Sequence, residues 1–126
     1  MEKHDGIIIK QKAIYEQVAD YYIEQILLGE FSAGDSFPSV SKICACFGIS
    51  SNTAWRVLDF LSEKGFISSK RGVGYFCTNQ AFDNAYSALK EKFVRYELPT
   101  ILRKMEILNV DISTLTKQKP DFEEGK

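Results

Sequence analysis

The residue types that most often catalyse reactions or bind metals are sparse in this 126-residue sequence. It contains three cysteines, Cys44, Cys46 and Cys77, and a single histidine, His4, near the amino terminus. On a helix the thiols of Cys44 and Cys46 would point about 200° apart, which does not suit a shared metal ion. Catalysis needs a base held beside a nucleophile, and these residues form no such set. We therefore predict no enzymatic activity, no metal and no cofactor, and interpret the cysteines as buried or half-buried reduced thiols, with a redox sensor as the alternative.

A run of small polar residues has a spacing that suits a different chemistry. Ser50 is a typical N-cap residue, and three more small polar residues would occupy the first turn of the helix that it begins: Ser51, Asn52 and Thr53. The body of this helix is predicted from apolar residues at helical spacing: Ala54, Val57, Leu58 and Leu61. The positive end of a helix, with free backbone N–H groups, can bind phosphates. The pattern therefore favours contact with a phosphate backbone.

Two further helices would position this one. The first is predicted over residues 14–28, with Gly29 directly after its last turn. A turn-rich connector over residues 31–38 follows, and Ser39 can then cap a second helix of about nine residues that Gly48 ends. Two short helices joined by a tight glycine-containing turn are typical of the helix-turn-helix, whose second helix enters the major groove of DNA.

A basic hairpin is predicted after these helices. Residues 66–70 and 75–78 have the composition of strands, and Arg71-Gly72-Val73-Gly74 would join them. Glycine allows the backbone to approach a phosphate, and Arg71 would be attracted by the negative potential of a narrow minor groove. Taken alone, such a tip fits an ordinary solvated hairpin equally well.

The last third of the sequence is rich in large apolar residues. Two helical runs are predicted, one over residues 79–98 and one that begins near Pro99 at a new first turn or a kink. Asn109 can end the second run, Asp111 or Ser113 can cap a short helix near 112–117, and a frayed polar tail is expected from about 118. An isolated helical hairpin cannot bury so many apolar side chains, whereas a second copy of the chain would cover them. The predicted dimer interface consists of Phe82, Tyr86, Leu89, Phe93, Ile101, Leu102, Met105 and Leu108.

The charge of the chain is unevenly distributed. A formal net charge of −1 would argue against a nucleic-acid partner if it were spread evenly. Residues 1–37 carry −4, residues 38–78 carry +3 and residues 79–126 carry no net charge. The cations of the basic segment are Lys42, Arg56, Lys64, Lys70 and Arg71. Both predicted helices of the helix-turn-helix and the hairpin therefore lie in the basic part of the chain.

The order of these pieces resembles the GntR family of transcriptional regulators, and within it the short YtrA-like branch. The segments that carry the resemblance are Ile14–Ala19, Leu28–Glu30, Gly34–Val40, Phe47–Ile49, Asn52–Thr53, Leu61–Ile67 and Arg71–Gly74. The resemblance implies a mainly α fold with a small β-wing (α+β), namely a winged helix-turn-helix followed by a short helical dimerisation appendage. The expected domains are 1–78, with its core at about 12–78, and 79–126.

The resemblance also implies which residues contact DNA. The family's Pro-Ser-x-Arg stands here as Pro38-Ser39-Val40-Ser41, so the usual arginine is Ser41 and a guanine contact worth ~1–3 kcal/mol is removed. In the third helix Asn52 and Arg56 would read base edges, whereas the small hydroxyl residues suit phosphates. Trp55 either packs at the helix margin, the interpretation we favour, or presents its ring to the groove. The predicted DNA-binding residues are Ser39, Ser41, Lys42, Ser50, Ser51, Asn52, Thr53, Arg56, Lys70, Arg71, Gly72 and Tyr75.

Together these features predict a homodimeric, sequence-specific regulator of transcription, which we interpret as a repressor, that binds a palindromic operator in double-stranded DNA. The alternative is a winged helix that serves protein interaction or DNA architecture without a specific operator. A small-molecule effector stays open as a further partner and is not identified by the sequence. No apolar run approaches the roughly 18 residues of a membrane span, and no secretory signal is recognisable, so we expect a cytoplasmic protein without a membrane partner.

Overall fold

The computed structural model describes the backbone of residues 12–117 and the side chains as far as Thr114. The chain divides into two compact units between Ser87 and Ala88. The predicted domain boundary after residue 78 separates DNA binding from dimerisation by function and stays a prediction. The expected frayed tail from about 118 lies outside the described residues. Within residues 12–117, no helix is long and apolar enough to cross a membrane.

Three helices form the frame of the N-terminal unit: α1 (Ile14–Leu27), α2 (Val40–Phe47) and α3 (Ser51–Glu63). The two predicted N-caps are confirmed. Ser39 Oγ accepts a hydrogen bond from the Lys42 N–H at 3.3 Å, and Ser50 Oγ accepts one from the Thr53 N–H at 3.2 Å. Gly48 has a φ of 65°, a left-handed conformation that a residue without a Cβ adopts readily. It allows α2 to end and α3 to begin within a few residues.

Two antiparallel strands form the wing, β1 (Ile67–Lys70) and β2 (Gly74–Cys77), paired in register from Ile67 with Cys77 to Lys70 with Gly74. The connector before α2, which was predicted only as a series of turns, adds a further pairing. Ser36 bridges to Phe76, and the Phe37 N–H donates to the Tyr75 carbonyl at 2.7 Å. The wing is therefore tied to the start of α2 as well as to the end of α3.

The core of the N-terminal unit lies between the three helices and the base of the wing. Its largest fully buried side chains are Ile26, Ile43, Val57, Leu58, Leu61 and Ile67. The predicted inward face of α3 is confirmed, since Ala54, Val57, Leu58 and Leu61 are all fully buried. An aromatic cluster adjoins this core, where the ring of Tyr22 lies 4.9 Å from that of Phe37 and 5.7 Å from that of Phe47, measured between centroids. These rings fix α1 against the connector and α2.

The chain is helical from Ala81 to Leu108, with α4 (Ala81–Lys92), a π-helix (Phe93–Glu97) and α5 (Leu98–Leu108) following one another without a loop. Pro99 lies in the first turn of α5, as predicted, where its missing N–H costs little. The chain does not break before it. Instead the Leu98 N–H donates to the Phe93 carbonyl, five residues back, so the helix passes the proline through a wider turn.

Two predicted caps are confirmed, one at the end of α5 and one at the start of the helix that follows it. Asn109 ends α5 in a left-handed conformation, with a φ of 62°. Asp111 caps α6 (Ile112–Lys117), where its Oδ1 accepts a hydrogen bond from the Thr114 N–H at 3.0 Å. Hydrogen bonds from the Ser113 and Thr114 side chains and from the Thr114 backbone hold the pKa of the Asp111 carboxyl below its usual value.

The cysteines occupy three different environments and are free thiols. Cys77 is buried and Cys44 is half-buried, but Cys46 is exposed, so the expectation of burial was wrong for that residue. Cys46 lies in the last turn of α2, a helix that buries only Ile43 completely. Burial, and to a smaller extent the charge of Asp35, raises the pKa of the Cys77 thiol.

Candidate nucleic-acid interface

The start of α2 presents polar side chains to solvent. Ser39, Ser41 and Lys42 are all exposed. Ser39 is fixed in place because its hydroxyl caps the helix, and Ser41 and Lys42 follow within the first turn. This helix end combines exposed N–H groups with a cation, which suits an anionic partner.

The start of α3 is built in the same way. The Ser50 hydroxyl accepts from the Thr53 N–H and donates to the Thr53 hydroxyl at 3.1 Å, so both side chains are engaged in the cap. Ser51 and Asn52 are exposed beside them, whereas Thr53 is half-buried. The outward side chains nearest the helix end are therefore a hydroxyl and an amide, groups that bond phosphates and base edges respectively.

The wing tip is a three-residue turn, Arg71-Gly72-Val73, between the paired residues Lys70 and Gly74. Gly72 has a φ of 75°, and Arg71 is exposed. The Lys70 ammonium lies 4.7 Å from the centroid of the Phe76 ring, which keeps that cation close to the strand rather than at the tip. Tyr75 is half-buried on the second strand and pairs with Ser69.

One open groove of about 940 Å³ connects these segments. Four residues that the sequence predicts to contact DNA line it, although they come from two separate parts of the chain: Ser39, Ser41, Lys42 and Tyr75. Trp55 from α3 and Val73 from the wing tip line the same groove. The structure therefore brings the start of α2, the outward side of α3 and the wing around one concave surface, which we call the reading groove.

Arg56 lies on another side of α3. Its guanidinium is stacked over the ring of Tyr15 in α1, 4.3 Å from the ring centroid. Asp59 and Glu63 border the same small recess, so two carboxylates stand near the guanidinium. This placement is 100° around the helix from Trp55 and is set by packing between α1 and α3. The contact between Arg56 and a base stays a prediction.

Trp55 lies on the outward side of α3 that faces the reading groove. Its side chain is 48% exposed, and it lines the reading groove with Ser41 and Tyr75. The sequence favoured packing at the helix margin, whereas the structure places the ring at the groove. Its position one turn after Ser51 was the signal that could have shown this, because residues four apart lie on one side of a helix.

The residues predicted to form the dimer interface are not buried in the single chain. Phe82 and Tyr86 are exposed in the N-terminal unit. In the C-terminal unit Leu89 and Met105 are half-buried, and the remaining four are exposed: Phe93, Ile101, Leu102 and Leu108.

A helix-turn-helix whose second helix is flanked by a two-stranded wing defines the class of winged helix-turn-helix proteins. The family model described as "Bacterial regulatory proteins, gntR family" matches residues 14–77, half of the chain. The chain belongs to the GntR family. It is a transcriptional regulator with a DNA-binding winged helix-turn-helix domain.

Individual proteins agree with this assignment. The chain is 27% identical to the HTH-type transcriptional regulator YhcF of Bacillus subtilis over 96% of its own length and 98% of that protein. A GntR-family structure from Bacteroides thetaiotaomicron is 31% identical, with a TM-score of 0.64 and coverage of 82% of this chain and 91% of that one. YtrA from Sulfolobus acidocaldarius, a GntR-family transcription factor, is 25% identical with a TM-score of 0.52, over 81% and 96% of the two chains.

The comparisons decide several predictions. The mainly helical fold with a small wing and the family are confirmed, and the family consists of transcription regulators rather than enzymes.

Proposed function

We propose that the chain is a homodimeric repressor that binds a palindromic operator in double-stranded DNA in the cytoplasm. The observation that carries the proposal is the reading groove, where the start of α2, the outward side of α3 and the wing meet. In this proposal α3 enters the major groove with Asn52 at a base edge, while the hydroxyl residues at the starts of α2 and α3 bind phosphates. Arg71 with Gly72 reaches the adjacent minor groove. Two such domains in one dimer would read half-sites about one helical turn, ~34 Å, apart.

The exposed apolar residues of the C-terminal helices support the homodimer. Ile101, Leu102, Met105 and Leu108 follow one another on α5 at spacings that place them on one side of the helix. None of the described side chains of the π-helix or of α5 is buried. An 11-residue helix with no buried face is marginal in water, so a covering partner is expected. A second copy presents the same apolar stripe and supplies a self-complementary surface.

The distribution of cations predicts the salt dependence of binding. Lys64 lies over the Phe60 ring at 5.6 Å from its centroid, and Arg56 lies over Tyr15, so both cations point to other parts of the domain. Lys42 and Arg71 are the exposed cations nearest the reading groove and the wing tip. Few phosphate contacts per subunit follow, and the logarithm of affinity should fall with a shallow slope against the logarithm of salt concentration.

Selection of duplexes from a random library by the purified chain tests the proposal. We expect an enriched inverted repeat, bound as one dimer per repeat in a mobility-shift assay. Run-off transcription from a promoter that overlaps the repeat should decrease when the protein is added. If selection at low salt enriches no sequence, the chain binds DNA without an operator or serves protein interaction instead.

The wing contact has a matched control in the C-terminal unit. Arg71→Gln should weaken binding to the selected repeat and lower the salt slope by about one per subunit, because it removes a phosphate or minor-groove contact. Arg103→Gln makes the same change of charge on α5, far along the chain from the wing, and should leave affinity unchanged. Equal losses from both variants would show that only net charge matters and would contradict a defined wing contact.

A further inference from the structure

Trp55 is a large apolar side chain on the outward side of a helix whose other outward residues near its start are small and polar. Ser51 and Asn52 precede it by one turn, and all three are exposed. The inward side of α3 is already filled by Ala54, Val57, Leu58 and Leu61, each fully buried. The helix therefore does not need the indole for its core, and leaving the ring 48% exposed has an unfavourable hydration cost.

The surroundings of Trp55 define where its ring could make contact. The reading groove that it lines also includes Ser41 and Tyr75. Arg56, the next residue, is stacked on Tyr15 and does not line this groove. Among the large side chains in the first two turns of α3, Trp55 is thus the one at the groove within the described part of the chain.

The chemistry of the indole matches one feature of base edges. In the major groove each thymine presents a C5-methyl group and an O4 acceptor, and apolar side chains contact that methyl. The indole offers a flat apolar face and one N–H donor. In residues 12–117 no acceptor receives a hydrogen bond from that N–H, so it is available to an acceptor on DNA. An indole cannot form the paired hydrogen bonds by which arginine reads guanine.

We infer that Trp55 is a specificity-determining residue that selects thymine in each half-site by packing its ring against the C5-methyl group in the major groove. The inference rests on the proposed operator binding and adds the base that α3 selects. Ser41 lines the same groove and cannot form the paired hydrogen bonds by which arginine reads guanine, so the apolar contact of Trp55 favours thymine there.

Replacement of thymine by uracil tests this directly, because it removes the methyl group and keeps the base pair. Each thymine of the selected repeat is replaced in turn, and the affinity of the wild-type protein is measured by fluorescence anisotropy of a dye-labelled duplex. At one symmetric position in the repeat we expect a loss of about fourfold per methyl group, the fold-change that corresponds to burying one such group. Thymines in the flanking sequence serve as controls and should show no loss.

Variants of Trp55 connect that loss to the indole. With Trp55→Ala the uracil-containing and thymine-containing duplexes should bind equally, whereas Trp55→Phe should retain part of the discrimination because it keeps an apolar ring. Circular dichroism and thermal melting show whether each variant is folded. Tolerance of uracil at every position by the wild type, or an unchanged loss in Trp55→Ala, would overturn the inference while operator binding stands.

The intrinsic fluorescence of the chain provides an independent readout, since Trp55 is its only tryptophan. Binding of the selected duplex should quench or shift the emission, and a scrambled duplex of the same composition should have a smaller effect at equal saturation. Identical emission with and without bound operator would also overturn the inference. If selection by the wild type enriches no duplex at all, the proposed function itself fails. A failure in the uracil or fluorescence experiments after successful selection concerns only the role of Trp55.

Discussion

The two compact units of this regulator solve the problem of burying apolar surface in different ways. Every buried hydrophobic side chain among the described residues lies between Val18 and Ala85, in the N-terminal unit. The C-terminal unit has apolar side chains of similar size, such as Phe93, Ile101 and Leu102, yet they are between 42% and 51% exposed. The first unit is stabilised by its own core. The second contains apolar residues of the kind found in cores, but in the single chain none of those that are described is buried.

Under the proposed homodimer, this difference separates DNA recognition from assembly within one small chain. Recognition needs a rigid scaffold, since α2, α3 and the wing must hold their side chains in fixed geometry against DNA. Assembly needs surface that stays uncovered until a second copy arrives. Substitutions of comparable residues in the two units should therefore have different effects.

The largest difference is expected from removing a leucine side chain in each unit. Leu58→Ala empties a fully buried site in α3 and should lower the free energy of unfolding by ~2–5 kcal/mol. Leu102→Ala removes the same atoms from an exposed site and should leave the unfolding of the N-terminal unit close to that of the wild type. Urea titration followed by Trp55 fluorescence reports on that unit. Similar losses in both variants would contradict the division of the core.

The next effect concerns assembly. Leu102→Glu places a charge in the proposed apolar interface and should raise the dissociation constant of the dimer by more than about tenfold. Arg103→Gln alters the net charge by the same amount at a position about 100° further around α5, and should leave association unchanged. Sedimentation velocity over a concentration series measures both. A wild-type chain that stays monomeric at high concentration would rule out the homodimer.

Helix caps should distinguish the units on a smaller scale. Ser50→Ala removes the acceptor for the Thr53 N–H at the start of α3 and should destabilise the N-terminal unit by about 1 kcal/mol. Asp111→Ala removes the equivalent acceptor from α6, whose described side chains are all exposed, and should not move the same urea midpoint. A midpoint that shifts equally in both variants would show that α6 contributes to the core.

The smallest effect is a pH dependence that belongs to the N-terminal unit. Burial, with smaller effects of Cys46 and Tyr21, raises the pKa of Tyr22 to about 12 from 10.0. A group with a raised pKa in the folded state contributes stability that is fully present below pH 10 and is lost as the pH rises towards 12. Between pH 8 and pH 10.5 the free energy of unfolding should fall further in the wild type than in Tyr22→Phe, and the difference should be somewhat less than about 1 kcal/mol. Parallel urea titrations of both proteins at pH 8 and 10.5 would reveal the difference, and parallel decline would disprove it.

Local signals in the sequence predicted most of the elements. The N-caps at Ser39 and Ser50, the inward face of α3 and the end of α5 at Asn109 depend on side chains within a few residues of the feature, so spacing alone identifies them. The pairing of Ser36 with Phe76 could not be predicted in the same way. It joins residues far apart in the sequence, and its register depends on where the connector and the wing are held by the folded domain.

The segments that form the candidate site were predicted from the sequence, but which of their side chains lie together was predicted only in part. The sequence singled out the start of α2, the first turn of α3 and the wing, and residues of the first and last of these line one groove. It treated Arg56 as a reader of bases and Trp55 as marginal packing. In the structure Trp55 lines the groove and Arg56 does not, because the guanidinium of Arg56 is stacked on the ring of Tyr15 in α1. A partner on another helix is invisible to a pattern within one helix.

By itself, then, the sequence determined the helix-turn-helix, the basic wing, the family and the surplus of apolar residues in the last third of the chain. Each of these features depends on the types of residues that lie close together in the sequence. Only the tertiary structure decided which side of α3 faces the groove, that the wing is tied to the connector, and that Cys46 is exposed while Cys77 is buried. These depend on how distant segments compete for the same buried space, and that competition is resolved only when the chain folds.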